Sequence, residues 1–295
     1  MMMKILIVGS AGQVGKELVL RAPKTWEVLA LDRQALDITC MEQVEKVVNS
    51  FSPHVIINAA AYTAVDRAEM DSDQAYMINR DGVANLARAS QACNSKLLHI
   101  STDYVFQGEQ QAAYCERDET GPTGVYGASK LAGEIAAAAA CPQHIILRTA
   151  WVFGTHGGNF VKTMIRLAQD RTELNVVGDQ FGGPTYAGDI AEALLLIAGK
   201  VCDKSFADWG VYHFTGTPYI NWAGFADQIM QRAHARGLTP HLTKINPIPS
   251  SDYPTPAKRP ANSMLNCKKI HEVFGIAPSD WQTALNDIVS YAAKG

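Results

Sequence analysis

This sequence has no pair of cysteines at Cys-x-x-Cys spacing, no apolar run long enough to span a membrane, and no large excess of either charge. Its six cysteines (Cys40, Cys93, Cys115, Cys141, Cys202 and Cys267) are scattered. Scattered thiols argue against a zinc ribbon, a redox dithiol or a secreted disulfide framework. The apolar stretch Ile5 to Val8 follows Lys4 but stops at Gly9, too short for the core of a signal peptide. Ala136 to Ala140 reads as a helix continuation rather than a span, so the cytoplasm is the expected compartment. A formal net charge of −3 offers no general field for nucleic acid or anionic membranes. An anionic substrate would therefore have to be held by local groups. Repeats, low-complexity tracts and flexible linkers are missing too.

What is present is globular. Apolar residues make up 47% and charged residues 19% of 295 positions, enough for a well-buried core in one large domain or two lobes. Short apolar runs at Lys4–Val8, Glu27–Leu31, His54–Ala60, Lys96–Ser101 and His144–Arg148 alternate with helix-like segments at Met41–Ser50 and about Asp71–Cys93. Strands apolar on both faces and separated by helices predict a parallel sheet covered on both sides. The expected fold class is α/β, a Rossmann-like doubly wound parallel sheet with a smaller C-terminal substrate-binding lobe. Residues 1–155 would form the NAD(P)-binding domain, with segments near 174–215 returning to it, and 156–295 mainly the second lobe. Helices are expected at Phe160–Gln169, Ala187–Gly199 and Asn221–Arg236. Long Gly- and Pro-rich loops at 178–185 and 247–260 suit a binding wall or lid.

The first strand runs straight into Gly9-Ser10-Ala11-Gly12-Gln13-Val14-Gly15. A strand, a glycine turn and a helix N-terminus bring backbone N–H groups and a helix dipole to a pyrophosphate. Gly9 can make the turn, Gly12 the close backbone approach and Gly15 the helix–strand packing. The alternative, a tight turn without a ligand, is weakened by Asp32, which ends the second strand where a carboxylate can bind ribose hydroxyls. Arg33 beside it could hold a 2′-phosphate or be an ordinary exposed charge. NADPH, NADH or both are open.

Tyr126 and Lys130 sit one helical turn apart, so a phenol and an ammonium share a face. A nearby ammonium would stabilise phenolate and lower the Tyr126 pKa. Alone, the spacing also fits a solvated helix face. Thr102 and Asp103 follow the strand ending at Ser101, and with Asn58 they land at the C-terminal edge of the sheet, where ligands bind. The Thr102 hydroxyl could bind the carbonyl oxygen that Tyr126 protonates, or merely cap a strand. Together these groups suit hydride transfer to a ketone.

Gly9-x-x-Gly12-x-x-Gly15, Asn58-Ala59-Ala60-Ala61, Ser101-Thr102-Asp103 and Tyr126-x-x-x-Lys130 resemble the extended short-chain dehydrogenase/reductases. More narrowly, the chain resembles the dTDP-4-dehydrorhamnose reductases. That likeness is carried by Gly12-Gln13-Val14-Gly15, Ala64-Val65-Asp66, Ser101 to Phe106, Val125-Tyr126-Gly127, Asp179 to Gly182 and Tyr253 to Pro260. It implies reduction of the C4 ketone of a dTDP-linked 4-keto sugar by NADPH or NADH, in dTDP-rhamnose synthesis. It carries cofactor contacts onto Gly12, Gln13, Val14, Asp32, Asp37, Ile38, Ala61, Tyr62, Thr63, Tyr126 and Lys130, and substrate contacts onto Thr102, Asp103 and Trp151. Tyr62 stands where some members have a His. Arg259, a planar fork in the Pro-rich segment, is a candidate for the substrate diphosphate, or is a loop charge paired with a neighbouring carboxylate. A homodimer, and Mg2+ at its contact through acids such as Glu17, remain open, with no ligand set traceable.

Related nucleotide-sugar dehydratases follow the threonine with Asp-Glu, whereas this chain has Asp103-Tyr104, which disfavours elimination of water. An epimerase-reductase would want an extra acid–base pair, and Cys115 with a His lacks support from spacing. A regulatory NADP-binding protein like the β subunit of methionine adenosyltransferase would not need Thr102, Tyr126 and Lys130, all of which are intact here.

Overall fold

The computed structural model describes residues 2–292. Five strands follow the apolar runs: β1 (Lys4–Val8), β2 (Glu27–Leu31), β3 (Val55–Asn58), β4 (Lys96–Thr102) and β5 (His144–Thr149). A later strand, Gly210–His213, joins them in a six-stranded parallel sheet ordered Gly210–His213, β5, β4, β3, β1, β2. The order reverses around β1 and β3, which opens a crevice beyond their C-terminal ends. β4 runs three residues past the register partner of Asn58 and so carries Thr102 further towards that edge.

Both faces of the sheet are covered. Ile5, Ile7, Val55 and Leu147 pack under α1 (Gln13–Arg21), whereas Leu6, Val8 and Ile56 pack under α2 (Met41–Phe51), α3 (Val83–Ala92) and α4 (Val125–Ala140). Side chains alternate across a strand, so successive residues of β1 serve opposite cores. Each fully buried Leu or Ile here contributes about 1.5–3 kcal/mol relative to exposure.

The second half divides between two cores. α5 (Phe160–Leu167) and the strand pair Glu173–Val177 with Lys244–Ile248 form a core apart from the sheet, with a helix at Trp222–Ala235 and the aromatic Trp281. The helix Ala187–Lys200, the strand Gly210–His213 and the helix Lys268–Phe274 instead pack on the main sheet. The return to the sheet thus begins near 187 rather than 174, and a second return occurs near the C-terminus. Positions 293–295 of the expected second lobe lie outside the described residues.

The stretch expected as one helix over about 71–93 is α-helical at Ser72–Tyr76, π-helical at Met77–Gly82, and α-helical again in α3. The wide turn brings Asn79 against α4. A side chain at Gly133 would lie 2.0 Å from the Asn79 carbonyl oxygen, so glycine is required for this approach.

Candidate active site

The glycine turn is built for closeness. Gly9 has φ +77°, and a Cβ there would sit 2.5 Å from the Ala60 nitrogen. A Cβ at Gly15 would lie 2.1 Å from the Gly9 carbonyl oxygen. α1 starts at Gln13 with no side-chain cap and no acid in its first turn. Its N-terminal N–H groups and dipole therefore suit an anion, so these residues fit a dinucleotide pyrophosphate. Val14 is buried under the turn, and Gln13 Oε1 accepts from Asn159 Nδ2 at 3.1 Å.

At the end of β2, Asp32 Oδ1 accepts the N–H groups of Gln34 and Ala35 at 2.9 and 3.0 Å, which shapes the following loop. Arg33 is exposed beside it. Asp37 caps Thr39, and Ile38 is buried against Gly82. After β3, the Asn79 amide clamps the Ala61-Tyr62-Thr63 segment: Oδ1 accepts from Tyr62 N at 2.8 Å and Nδ2 donates to Tyr62 O at 3.1 Å. Asn79 also donates to Ser129 Oγ at 3.0 Å, tying the loop to α4.

Thr102, Asp103, Tyr126 and Lys130 are all buried at the sheet edge. Thr102 Oγ1 donates to Asp103 Oδ1 at 3.0 Å and accepts from Tyr104 N at 3.2 Å. The Tyr126 ring meets Tyr104 edge-on, with centroids 5.4 Å apart. Burial raises the Tyr126 pKa, and the Thr102 hydroxyl lowers it only in part. This corrects the expectation from spacing. Lys130 Nζ turns away to donate to Ile100 O at 2.7 Å, and burial pushes its own pKa down to about 8. Sharing a helix face did not make an ammonium–phenolate pair, because the ammonium found a backbone acceptor behind it. The phenol is left as a firmly protonated acid.

Two buried side-chain polar atoms among the described residues have no hydrogen-bond partner: Asp103 Oδ2 and Thr149 Oγ1. Both belong to the C-terminal edge, where Thr102 and Thr149 are register partners. Orphaned buried groups of this kind are costly, and a ligand or an ordered water would satisfy them. Burial pushes the Asp103 carboxyl up to about 6, and the hydrogen bond from the Thr102 hydroxyl to Oδ1 offsets part of the rise.

A cleft of about 780 Å³, a size suited to a small-molecule ligand, runs along the second core and meets this edge at Tyr104; Thr102, Asp103, Tyr126 and Lys130 do not line it. Trp151, Trp222, Tyr104, Gln180, Tyr253 and Arg259 contribute to its walls. Trp151 stacks on Trp222 with centroids 3.5 Å apart and planes at 13°. It holds φ +48°, unusual for a bulky residue. Arg259 lines the cleft with its fork engaged: Nη2 donates to Asp66 Oδ2 at 2.6 Å and Nη1 to the Tyr104 hydroxyl at 3.0 Å. Glu17 is buried, pairs with Arg21, and lies 3.7 Å from His156 Nε2. Among the described residues no group of three His, Cys, Asp or Glu is placed to hold a metal ion.

Sequence reasoning missed Asn79, His99, Trp222 and the buried Glu134–Arg148 pair, whose Nη2–Oε2 distance is 2.7 Å. His99 was visible as a polar residue inside an apolar strand, and Arg148 likewise. Nothing local marked Trp222, which reaches Trp151 across 71 positions.

The family model described as RmlD substrate binding domain matches residues 3–293. A dTDP-4-dehydrorhamnose reductase of Aggregatibacter actinomycetemcomitans is 50% identical over 99% of this chain and 100% of its own length. A crystal structure of such a reductase from Clostridium acetobutylicum superposes with TM-score 0.90 at 39% identity, covering 97% of this chain and 98% of that one. One from Bacillus anthracis, solved in complex with NADP, also gives 0.90, at 36% identity over 98% and 99%. The chain belongs to the dTDP-4-dehydrorhamnose reductase family.

Proposed function

We propose that this protein reduces the C4 ketone of dTDP-4-dehydro-L-rhamnose to the alcohol of dTDP-L-rhamnose, using NADPH or NADH. The observation that carries the reading is the convergence of a protonated Tyr126, the Thr102 hydroxyl and the unpartnered Asp103 oxygen. They meet at one sheet edge, between an anion-binding turn and an aromatic cleft. A bound nicotinamide would supply hydride to the carbonyl carbon. Tyr126 supplies the proton to the carbonyl oxygen, and its raised pKa keeps that proton available throughout the neutral range. Thr102 lies beside the phenol and aligns the same oxygen. Lys130 anchors α4 to β4 through Ile100 O and keeps N–H capacity for the cofactor ribose.

Gly12 and the N-terminal turn of α1 hold the pyrophosphate in this reading, and Asp32 the adenosine ribose. Trp151 and Trp222 form an apolar wall for the deoxysugar, and Arg259 faces the diphosphate. The sheet-based part binds cofactor, and the core around α5 and Trp222–Ala235 binds substrate. No helix among the described residues is long and apolar enough to cross a membrane. The test is steady NAD(P)H oxidation by the purified protein with dTDP-4-dehydro-L-rhamnose, with product configuration read by NMR. Cofactor binding without turnover on this or any other nucleotide-linked 4-keto sugar would sink the reading.

A further inference from the structure

Lys130 is reached from behind by a short buried relay. Register places Asn58 of β3 beside His99 of β4. Asn58 Oδ1 accepts the Ala60 N–H at 3.0 Å, and its Nδ2 lies 3.0 Å from His99 Nδ1. A backbone N–H needs an acceptor, so the oxygen of the amide is fixed towards Ala60 and the NH2 towards the imidazole. Nδ1 must then accept, which puts the proton of the neutral ring on Nε2. His99 is fully buried, and burial holds its pKa well below the ordinary value, so the ring is neutral.

His99 Nε2 lies 3.4 Å from Lys130 Nζ. An N–H aimed at this nitrogen finds an acceptor only if the nitrogen has a lone pair. The ammonium has none; the amine has one. In the amine form one N–H goes to Ile100 O, the lone pair receives His99, and one N–H stays free for a ligand. Other charged or titratable groups around the pair are accounted for. Glu134, one turn along α4, favours the ammonium but is held by Arg148 of β5 and Ser101 of β4. His144 of β5 acts on His99, Asp103 after β4 acts on Tyr126, and the π-helical turn contributes neutral Asn79.

We propose that His99, oriented by Asn58, is a positioning residue that stabilises Lys130 as the neutral amine and so sets the pH at which this lysine gains its proton. The proposal rests on Lys130 belonging to the proton-transfer set given above. A hydrogen bond donated to the neutral form lowers a lysine pKa, and burial acts in the same direction. Losing the bond should raise the midpoint by roughly one unit.

Two NMR measurements on the full-length protein test it without requiring turnover. With 15N-labelled histidine, long-range correlation spectra should show His99 as the Nε2–H tautomer, its signal assigned by loss in His99→Met. An Nδ1–H tautomer overturns the proposal. With 13C-labelled lysine, the Lys130 midpoint, assigned through Lys130→Met, should rise in His99→Met and return towards wild type in His99→Gln, which keeps an N–H. An unchanged midpoint in folded His99→Met, or equal shifts in both variants, overturns it. Should His99→Met not fold, Asn58→Asp presents an acceptor to Nδ1 and should reverse the tautomer, and an unreversed tautomer counts against the relay. Loss of the proposed reduction would leave both readouts unaffected, so the two readings fail separately.

Discussion

Replacing Tyr126 by Phe isolates the chemical step because the structure predicts that almost nothing else changes. The ring keeps its edge-on contact with Tyr104 at 5.4 Å. Thr102, the hydroxyl beside the phenol, is not orphaned, since it still donates to Asp103 Oδ1 and accepts from Tyr104 N. Stability should therefore shift by no more than about 1 kcal/mol, the net worth of one hydrogen bond. The proton donor, by contrast, disappears entirely. General acid catalysis is worth ~10²–10⁴-fold, or about 3–5 kcal/mol of barrier. Burial holds the wild-type phenol protonated, so the loss should be the same at pH 6 and pH 8 rather than confined to one limb. Single-turnover hydride transfer, followed by cofactor absorbance in variant and wild type, measures it, with thermal melting as the folding control. A folded Tyr126→Phe protein that reduces the keto sugar at near wild-type rate would refute the assignment.

Asp103 makes a pH prediction. Its folded pKa of about 6 lies above the ordinary 3.8, so the folded state binds the extra proton and stability declines as pH rises between those values. About two units correspond to roughly 3 kcal/mol, and Asp103→Asn should show no such decline in urea titrations from pH 4 to 7. Parallel curves for the two proteins would contradict it. Arg259→Ala should raise the KM for the sugar nucleotide while leaving the cofactor Kd within about twofold, although release of Asp66 and Tyr104 also perturbs the cleft wall; unaltered substrate kinetics would remove Arg259 from the site. Arg33→Ala should weaken NADPH more than NADH, and equal effects on both KM values would show that Arg33 does not reach the 2′-phosphate.

The sheet was legible because parallel strands buried on both faces leave uninterrupted apolar runs, as in Ile5 to Val8 and Val55 to Ile57. The glycine turn was legible because only glycine tolerates the approaches at positions 9 and 15. Helix spacing correctly put Tyr126 and Lys130 on one buried helix. It could not say where a flexible lysine finds its acceptor, and Ile100 O took the group expected to face the phenol. The same gap hid which carboxylate Arg259 pairs with: pairing was the alternative reading of this residue, but its partner Asp66 is separated by 193 positions. Long-range pairings of this kind are decided by how two lobes meet, and no local pattern encodes them. The split of the second half between two cores is a topological fact of the same sort. Ala187–Lys200 and Trp222–Ala235 both read simply as apolar helices.

The π-helical turn at Met77–Gly82 has a consequence for how this chain tolerates insertion and deletion. Such a turn is an α-helix with one residue too many, so removing a residue there would give a better helix. Each residue of an α-helix advances about 100°. The repaired helix would carry Asn79 away from Tyr62 and Ser129, or rotate the whole of α3 by that angle against its buried neighbours. A deletion that improves local backbone geometry would thus unclamp the loop after β3 and dislodge α4. The irregularity works as a reading-frame marker between two faces of the same layer, which a straighter helix could not provide.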